Sequence, residues 1–305
     1  MKILLTGGAG DLGRDLGPLL ARYHDVKVLD IKKPDNDLEF VCCDISKAKD
    51  VEQATKGVDV IAHLAALISA DTSTQFIDVN AKGTCNILEA ALKNGVKKVV
   101  YASSVWAASR GFSVPYLPID ENIPCKPEGL YDITKRMGEE FCEYFYRMYG
   151  LNTMILRLCG YYPVKGFSSD GDILWDKIDL PAFAGRFVGT GPAFKLTNAW
   201  DLTQAFKAAI EDEKVQHDVF IIGLGAPFVQ EEAEDLKKTP LAVLEKYYPG
   251  ASEFFKEIGV DVPEIRFWYN TEKAKKHLGF SPKFSLKDVM RQYYENKVDK
   301  SLQKR

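Results

Sequence analysis

The chain is poor in histidine and lacks any Cys-x-x-Cys pair. Its four histidines are scattered, and its six cysteines (Cys42, Cys43, Cys85, Cys125, Cys142 and Cys159) fall in apolar or helical contexts. No metal constellation therefore stands out, and the thiols read as small buried hydrophobes in a reducing compartment. No apolar run approaches the roughly 20 residues that a membrane-spanning helix needs. The net charge is −3, without the basic surplus of a nucleic-acid binder. There is no internal repeat and no low-complexity segment. The N-terminus enters a strand at once, without signal-peptide layout, so the expected location is the cytoplasm. What remains is ordinary globular composition, 46% hydrophobic and 27% charged over 305 residues. That length suits one large domain or a domain with a smaller companion.

The first apolar strand, residues 2–6, runs straight into Gly7-Gly8-Ala9-Gly10-Asp11-Leu12-Gly13 and then a helical stretch to about Tyr23. Strand, glycine turn and helix together are the setting of a phosphate-cradling loop. Glycines let the backbone approach a pyrophosphate, which lies at the positive helix N-terminus. The spacing is Gly-x-x-Gly-x-x-Gly, at Gly7, Gly10 and Gly13. The next strand, residues 26–30, ends in Asp30, 17 residues past Gly13. That is near the distance expected of a carboxylate holding the adenosine ribose, which favours NAD over NADP; Lys32 and Lys33 soften the preference. A third strand, 38–43, leads to Asp44-Ile45. Asp44 could accept from the adenine amino group, or cap the helix that begins near Ser46.

The fourth strand, 58–64, is continuously apolar, as a strand buried on both faces should be. It runs into Leu64-Ala65-Ala66, small enough for a cofactor to pass, and His63 there reads as structural. A helix from Asn80 to Asn94 and a fifth strand, 97–102, lead to Ser103-Ser104. This alternation predicts an α/β fold, a Rossmann-type doubly wound parallel sheet, with ligands beyond the carboxyl ends of the strands.

Gly129-Leu130-Tyr131-Asp132-Ile133-Thr134-Lys135 opens an amphipathic helix that ends at Gly150. Tyr131 and Lys135, four apart, share one helix face. An ammonium beside a phenol lowers its pKa and suits it to general acid or base work at a carbinol or carbonyl.

Taken in order, these motifs resemble the extended short-chain dehydrogenase/reductase family of NAD-dependent epimerases and dehydratases. The likeness runs from Met1 to about Arg291, through Tyr101–Ser104, Arg157–Pro163 and Leu278–Pro282. The resemblance implies that Tyr131 is the acid/base, that Lys135 tunes it and holds the nicotinamide ribose, and that Ser104 bonds the reacting oxygen, with Ser103 the neighbouring alternative. It implies a cofactor-contacting set of Gly7, Gly10, Asp11, Leu12, Gly13, Asp30, Asp44, Ile45, Leu64, Ala65, Ala66, Asn80, Tyr131 and Lys135, Asn80 through a supporting polar network. Ser104, Trp106, Arg157 and Lys195 are the expected substrate residues, and a homodimer through helices 80–94 and 131–149 is the expected assembly. Two departures narrow the chemistry. Val105-Trp106 replaces the acidic pair that eliminates water in family dehydratases, which argues against dehydration. The stretch Lys195 to Asp201 lacks the arginine that clamps a nucleotide diphosphate; Lys195 or Arg186 could replace it, a lysine being the poorer match to a forked phosphate contact.

The expected organisation is a dinucleotide domain over 1–163, with 195–226 returning to it. A small mixed substrate lobe takes 164–194 and 227–295, and 296–305 forms a frayed tail. The expected activity is hydride transfer between NAD and a secondary alcohol of a sugar or sugar derivative, with net dehydrogenation slightly preferred. A nucleotide-sugar 4-epimerase and a non-catalytic NAD sensor are the alternatives.

Overall fold

Strand β1 (Lys2–Thr6) passes through the glycine turn into α1 (Asp11–Leu20), and the alternation continues from there. The computed structural model describes residues 1–111, 114–162, 188, 191–192, 197–283 and 285–302. Next come β2 (Asp25–Asp30), β3 (Glu39–Cys42), α2 (Ala48–Ala54) and β4 (Val60–His63). Helix α3 (Ser73–Phe76), a π-helical turn (Ile77–Lys82) and α4 (Gly83–Lys93) follow without a break. After β5 (Lys98–Ser104) and a 3-10 turn (Val105–Ala107) come α5 (Leu130–Tyr149) and β6 (Asn152–Leu158). Three two-residue strands, β7 (Tyr161–Tyr162), β8 (Gly191–Pro192) and β9 (Thr197–Asn198), precede α6 (Ala199–Glu211) and β10 (His217–Ile222).

Seven strands form one parallel sheet in the order β10-β6-β5-β4-β1-β2-β3. The order reverses between β1 and β4, so a crevice opens above their carboxyl ends, where a doubly wound sheet binds its ligand. Strands β4 and β5 are buried at every position, as strands covered on both faces must be. Alternation along β1 divides the core. Ile3 and Leu5 pack with α1 and α6, whereas Leu4 packs with Val51, Ile87 and Leu88 of α2 and α4. At the sheet edge, the Ile221 N–H of β10 donates to Glu121 Oε1 at 2.8 Å.

Helix α5 forms where its sequence places it. Its first turn is tied by the Gly129 N–H donating to Asp132 Oδ2 at 2.9 Å, and it stops at Gly150, whose φ of 70° only glycine adopts freely. The helix expected from Asn80 instead begins at Ser73, because the Thr72 hydroxyl accepts the Gln75 N–H while Gln75 bonds back. Asn80 therefore lies inside the helical segment, within the π turn.

A second core gathers around Trp268, Phe254, Phe255 and Leu244, with the Trp268 indole N–H satisfied by Phe228 O at 2.9 Å. It takes in β11 (Ile265–Phe267), paired with β8, and the helices within 233–257. Within the stretch expected as a lobe at 227–295, Ala274 and Phe280 pack into the main sheet's core, and Phe267 and Tyr269 pack with Val105, Cys159 and Ile221. The expected tail is helical as far as Leu302, in a helix that begins at Leu286, and Lys297 bonds Glu257 at 2.8 Å. Of the expected substrate segment 164–194 only residues 188 and 191–192 are described, and Arg186 and Lys195 lie outside the described residues.

Candidate active site

The glycine loop is packed so tightly that side chains have no room in it. A Cβ at Gly13 would stand 2.2 Å from Gly7 O, and one at Gly7, where φ is +73°, 2.7 Å from Ala65 N. Gly7 therefore rests directly on the segment leaving β4, and Ala65 N donates to Thr6 Oγ1 at 3.2 Å. Gly10 begins α1 in extended conformation without a side-chain cap, so the first N–H groups of the helix face the crevice. Asp30 reaches across from β2. Its Oδ2 accepts from Ala9 N at 3.0 Å and its Oδ1 from Lys32 N at 3.1 Å, which shapes the loop and leaves lone pairs for a ribose diol. A bare cradle, a helix N-terminus and a carboxylate at this spacing fit a dinucleotide. Asp11 and Leu12 lie in the first turn of α1, with Asp11 paired to Arg14, and Leu64 to Ala66 line the β4 side, half-buried.

Of the readings open at Asp44, the helix cap is the one the geometry does not meet. Its Oδ1 accepts Ser46 N at 2.9 Å, making a turn ahead of α2, whereas the residue capping that helix is Lys47. Ile45 is buried against Gly83 of α4, and its carbonyl accepts Asn86 Nδ2 at 2.8 Å. Asn80 is 1% exposed, and its amide is committed to Leu67 and Thr134.

The carboxyl end of β5 and the start of α5 bring Ser104, Tyr131 and Lys135 to the crevice. Ser103 and Ser104 separate cleanly. Ser103 Oγ donates to the buried Glu139 at 2.6 Å, whereas Ser104 Oγ accepts the Trp106 N–H at 3.2 Å and stands near enough to Tyr131 to influence its phenol. The expectation that Lys135 lowers the phenol's pKa is not met here. Lys135 Nζ donates to Ala102 O at 2.8 Å and lies 5.9 Å from the Tyr131 ring centre. Burial pushes Tyr131 up to about 12, with the nearby Ser104 hydroxyl pulling downward and Asp132 adding to the rise.

Lys135 is itself pulled down to about 8 by burial, against the nearby Glu139 carboxylate, which raises it. The unfolded chain restores a value near 10.5, so between pH 8 and 10.5 the unfolded state binds more protons and stability rises with pH. Measured by urea unfolding, the stability of the protein relative to Lys135→Met is expected to climb across that window. A flat difference would mean that the ammonium is not desolvated. Tyr131, raised rather than lowered, acts in the opposite sense only above pH 10.

Arg157, expected at the substrate, is placed elsewhere. It is buried in a two-pronged pair with Glu139 (Nε–Oε1 2.9 Å, Nη2–Oε2 2.8 Å), and Nη1 reaches Glu121 O at 3.3 Å. Its donors are consumed in the core. Trp106 does stand at the crevice, edge-on to Tyr131 with ring centres 6.3 Å apart. Arg110 covers it at 4.5 Å and grips the fully buried Asp132 through Nε and Nη2, at 2.6 and 3.1 Å. Arg110 and Glu139 were not among the expected site residues. Glu139 is visible in hindsight as an acid one turn beyond Lys135; the pairing of Arg110 with Asp132, 22 residues away, left no local signal.

A parallel sheet reversing at its glycine loop, with Ser104, Tyr131 and Lys135 gathered beside it, is a doubly wound dinucleotide-binding fold with polar groups at its crevice. The model of the NAD dependent epimerase/dehydratase family matches residues 3–174, and the chain belongs to that family. A putative UDP-glucose 4-epimerase of Methanocaldococcus jannaschii is 37% identical over 174 residues, 52% of this chain and 56% of that protein. A uronate dehydrogenase of Pseudomonas syringae is 31% identical over 168 residues, 53% of this chain and 60% of its own length. The chain thus spans little more than half the length of these relatives. Among solved structures, a short-chain dehydrogenase/reductase superfamily protein from Agrobacterium tumefaciens with bound NAD superposes with a TM-score of 0.71 at 20% identity, covering 100% of both chains. A UDP-N-acetylglucosamine 4-epimerase from Bacillus cereus gives 0.68 at 23% identity, covering 96% of this chain and 99% of that one. At such identities the likeness is one of fold. Among the described residues no helix is long and apolar enough to cross a membrane.

Proposed function

We propose that the chain is an NAD-dependent oxidoreductase that oxidises a secondary alcohol of a sugar or sugar derivative, with net dehydrogenation as its outcome. The observation that carries this reading is the meeting of Ser104, Tyr131 and Lys135 beside a glycine cradle closed by Asp30. When bound, the oxidised nicotinamide supplies the hydride acceptor. Ser104 holds the reacting oxygen, Tyr131 takes the hydroxyl proton, and Trp106 gives the sugar ring an aromatic wall. Base work near neutral pH requires a phenol far below 12, so Tyr131 must gain cationic neighbours in the loaded enzyme. Lys135 and the positive nicotinamide ring both act in that direction. The absent acidic pair at Val105-Trp106 speaks against dehydration, and a small polar substrate such as a free sugar or uronate suits a Lys195-to-Asp201 stretch without the diphosphate-clamping arginine.

A substrate panel with NAD tests the reading, with reduced-nicotinamide absorbance followed beside proton NMR of the sugar. Net NADH with an oxidised sugar is expected. A changed sugar without lasting NADH would make the protein an epimerase, the reading favoured by its 37% identity to the archaeal epimerase-like relative. Cofactor choice has its own test. Asp30→Asn is expected to raise the NAD Michaelis constant about tenfold, the worth of a charged hydrogen bond. It should also narrow the preference over NADP, because the repelling carboxylate is gone. An unaltered preference would show that Asp30 does not face the ribose.

Cytoplasmic placement rests on six free thiols. The proposed homodimer rests on the exposed apolar side chains Leu92, Tyr144, Met148 and Tyr149 of α4 and α5. Sedimentation at micromolar concentration checks it, and a monomer there refutes it.

A further inference from the structure

His63 is a fully buried imidazole that the proposed chemistry does not use, and its contacts lead in both directions. Its Nδ1 lies 2.7 Å from Thr6 Oγ1, and its Nε2 lies 3.0 Å from Thr84 Oγ1. The Thr84 hydroxyl spends its proton on Asn80 O at 2.6 Å, so it can only accept from His63. The imidazole is therefore the Nε2–H tautomer, and Nδ1 accepts the Thr6 hydroxyl. Burial, and secondarily Lys135, drive its pKa down to about 3, so it stays neutral. Beyond Thr84, Asn80 donates through Nδ2 to Thr134 Oγ1 at 3.0 Å, and Thr134 donates to Tyr131 O at 2.9 Å.

One directed set of hydrogen bonds thus leaves the residue before Gly7, crosses beneath the crevice and ends on the backbone of Tyr131. Thr6, His63, Thr84, Asn80 and Thr134 are each at most 1% exposed. The helix carrying Asn80 widens there into a π turn, a local irregularity common at functional sites. Apolar residues of similar shape would hold such a core with comparable stability, because a buried polar chain adds little net energy for its desolvation. Its use is geometric: it links two backbone segments that must stay in register.

We propose that Thr6, His63, Thr84, Asn80 and Thr134 form a positioning chain that registers the acid/base Tyr131 against the dinucleotide loop. The proposal rests on the oxidoreductase reading above. None of the five touches the reacting atoms, and they act through the placement of Tyr131. Small errors in that placement cost rate rather than affinity.

Thr134→Val and Thr84→Val cut the chain at nearly constant shape. Each is expected to lower kcat about tenfold, at temperatures where the variant is fully folded, while the NAD dissociation constant stays within twofold. Thr84→Ser, which keeps the hydroxyl, should restore the rate. Thr6→Val and Thr134→Val, at opposite ends, should not multiply, because a chain already cut loses little from a second cut. A role in packing alone would lower the thermal midpoint and leave kcat of the folded variant unchanged; an unchanged kcat, or losses in the two end variants that multiply, overturns the proposal. A readout without turnover separates its failure from that of the function. Amide hydrogen exchange in the second turn of α5 should quicken about tenfold more than global stability explains in Thr134→Val. If the wild type turns over no carbinol, that exchange result alone decides: faster local exchange upholds the chain, and unchanged exchange refutes it.

Discussion

Tyr131→Phe is expected to lower kcat by about 10²- to 10⁴-fold, the usual contribution of a positioned acid or base. The NAD dissociation constant should stay within about twofold. The substitution removes one hydroxyl and little else. The ring keeps its edge contact with Trp106, α5 keeps its first-turn tie through Asp132, and Lys135 keeps its bond to Ala102 O. The thermal midpoint should therefore hardly move, so a loss of rate cannot be ascribed to unfolding. Steady-state turnover on the best sugar of the panel, with NAD binding followed by fluorescence, reads both numbers. A variant within threefold of the parent would assign the proton to another group. A parent without turnover on any carbinol would favour a regulatory NAD binder.

Glu139→Ala carries the largest expected cost in stability. The carboxylate is 2% exposed and is shared by the buried Arg157, by Arg136 Nη1 at 3.0 Å and by the Ser103 hydroxyl at 2.6 Å. Removing it strands a guanidinium in the core, and breaking a buried pair from one side costs about 3–5 kcal/mol. It also removes the group that raises the pKa of Lys135, so a lower fraction of ammonium should accompany the loss. Urea unfolding of Glu139→Ala beside the double variant Glu139→Leu/Arg157→Met separates the causes. The double variant replaces the pair by apolar groups and is expected to recover most of the loss. Equal destabilisation of the two would show that shape, not the stranded charge, is what matters.

The architecture was legible because its signals are local and repeated. Continuous apolar runs marked β1, β4 and β5, and glycine closed α5 where its apolar stripe ended. The family and the glycine cradle followed from the order of motifs along the chain. The misread features depend on distance in space. Arg157 looked like a substrate residue because it stands at a strand end, but its partner Glu139 comes from α5 and draws it into the core. The lowered phenol expected from Tyr131 and Lys135 rested on one helix face alone. Strand β5 supplies the competing acceptor, Ala102 O, and the packed surroundings supply the desolvation. Asn80 was read as a helix start because the capping Thr72 and Gln75 lie in a polar stretch without apolar rhythm.

The two outermost strands have a consequence for how the chain behaves among its own copies. An open sheet ends in rows of unused ladder groups that can template pairing between molecules. On one side β3 is only four residues long, and Glu39 is paired with Lys27 at 3.2 Å. On the other side Glu121 occupies the Ile221 N–H of β10, and Lys273 crosses to the Asp218 side chain. Both margins are thus blunted by charge. A sheet rich in valine, isoleucine and leucine can stay dispersed at high concentration because its rims offer other molecules short or already occupied hydrogen-bonding edges.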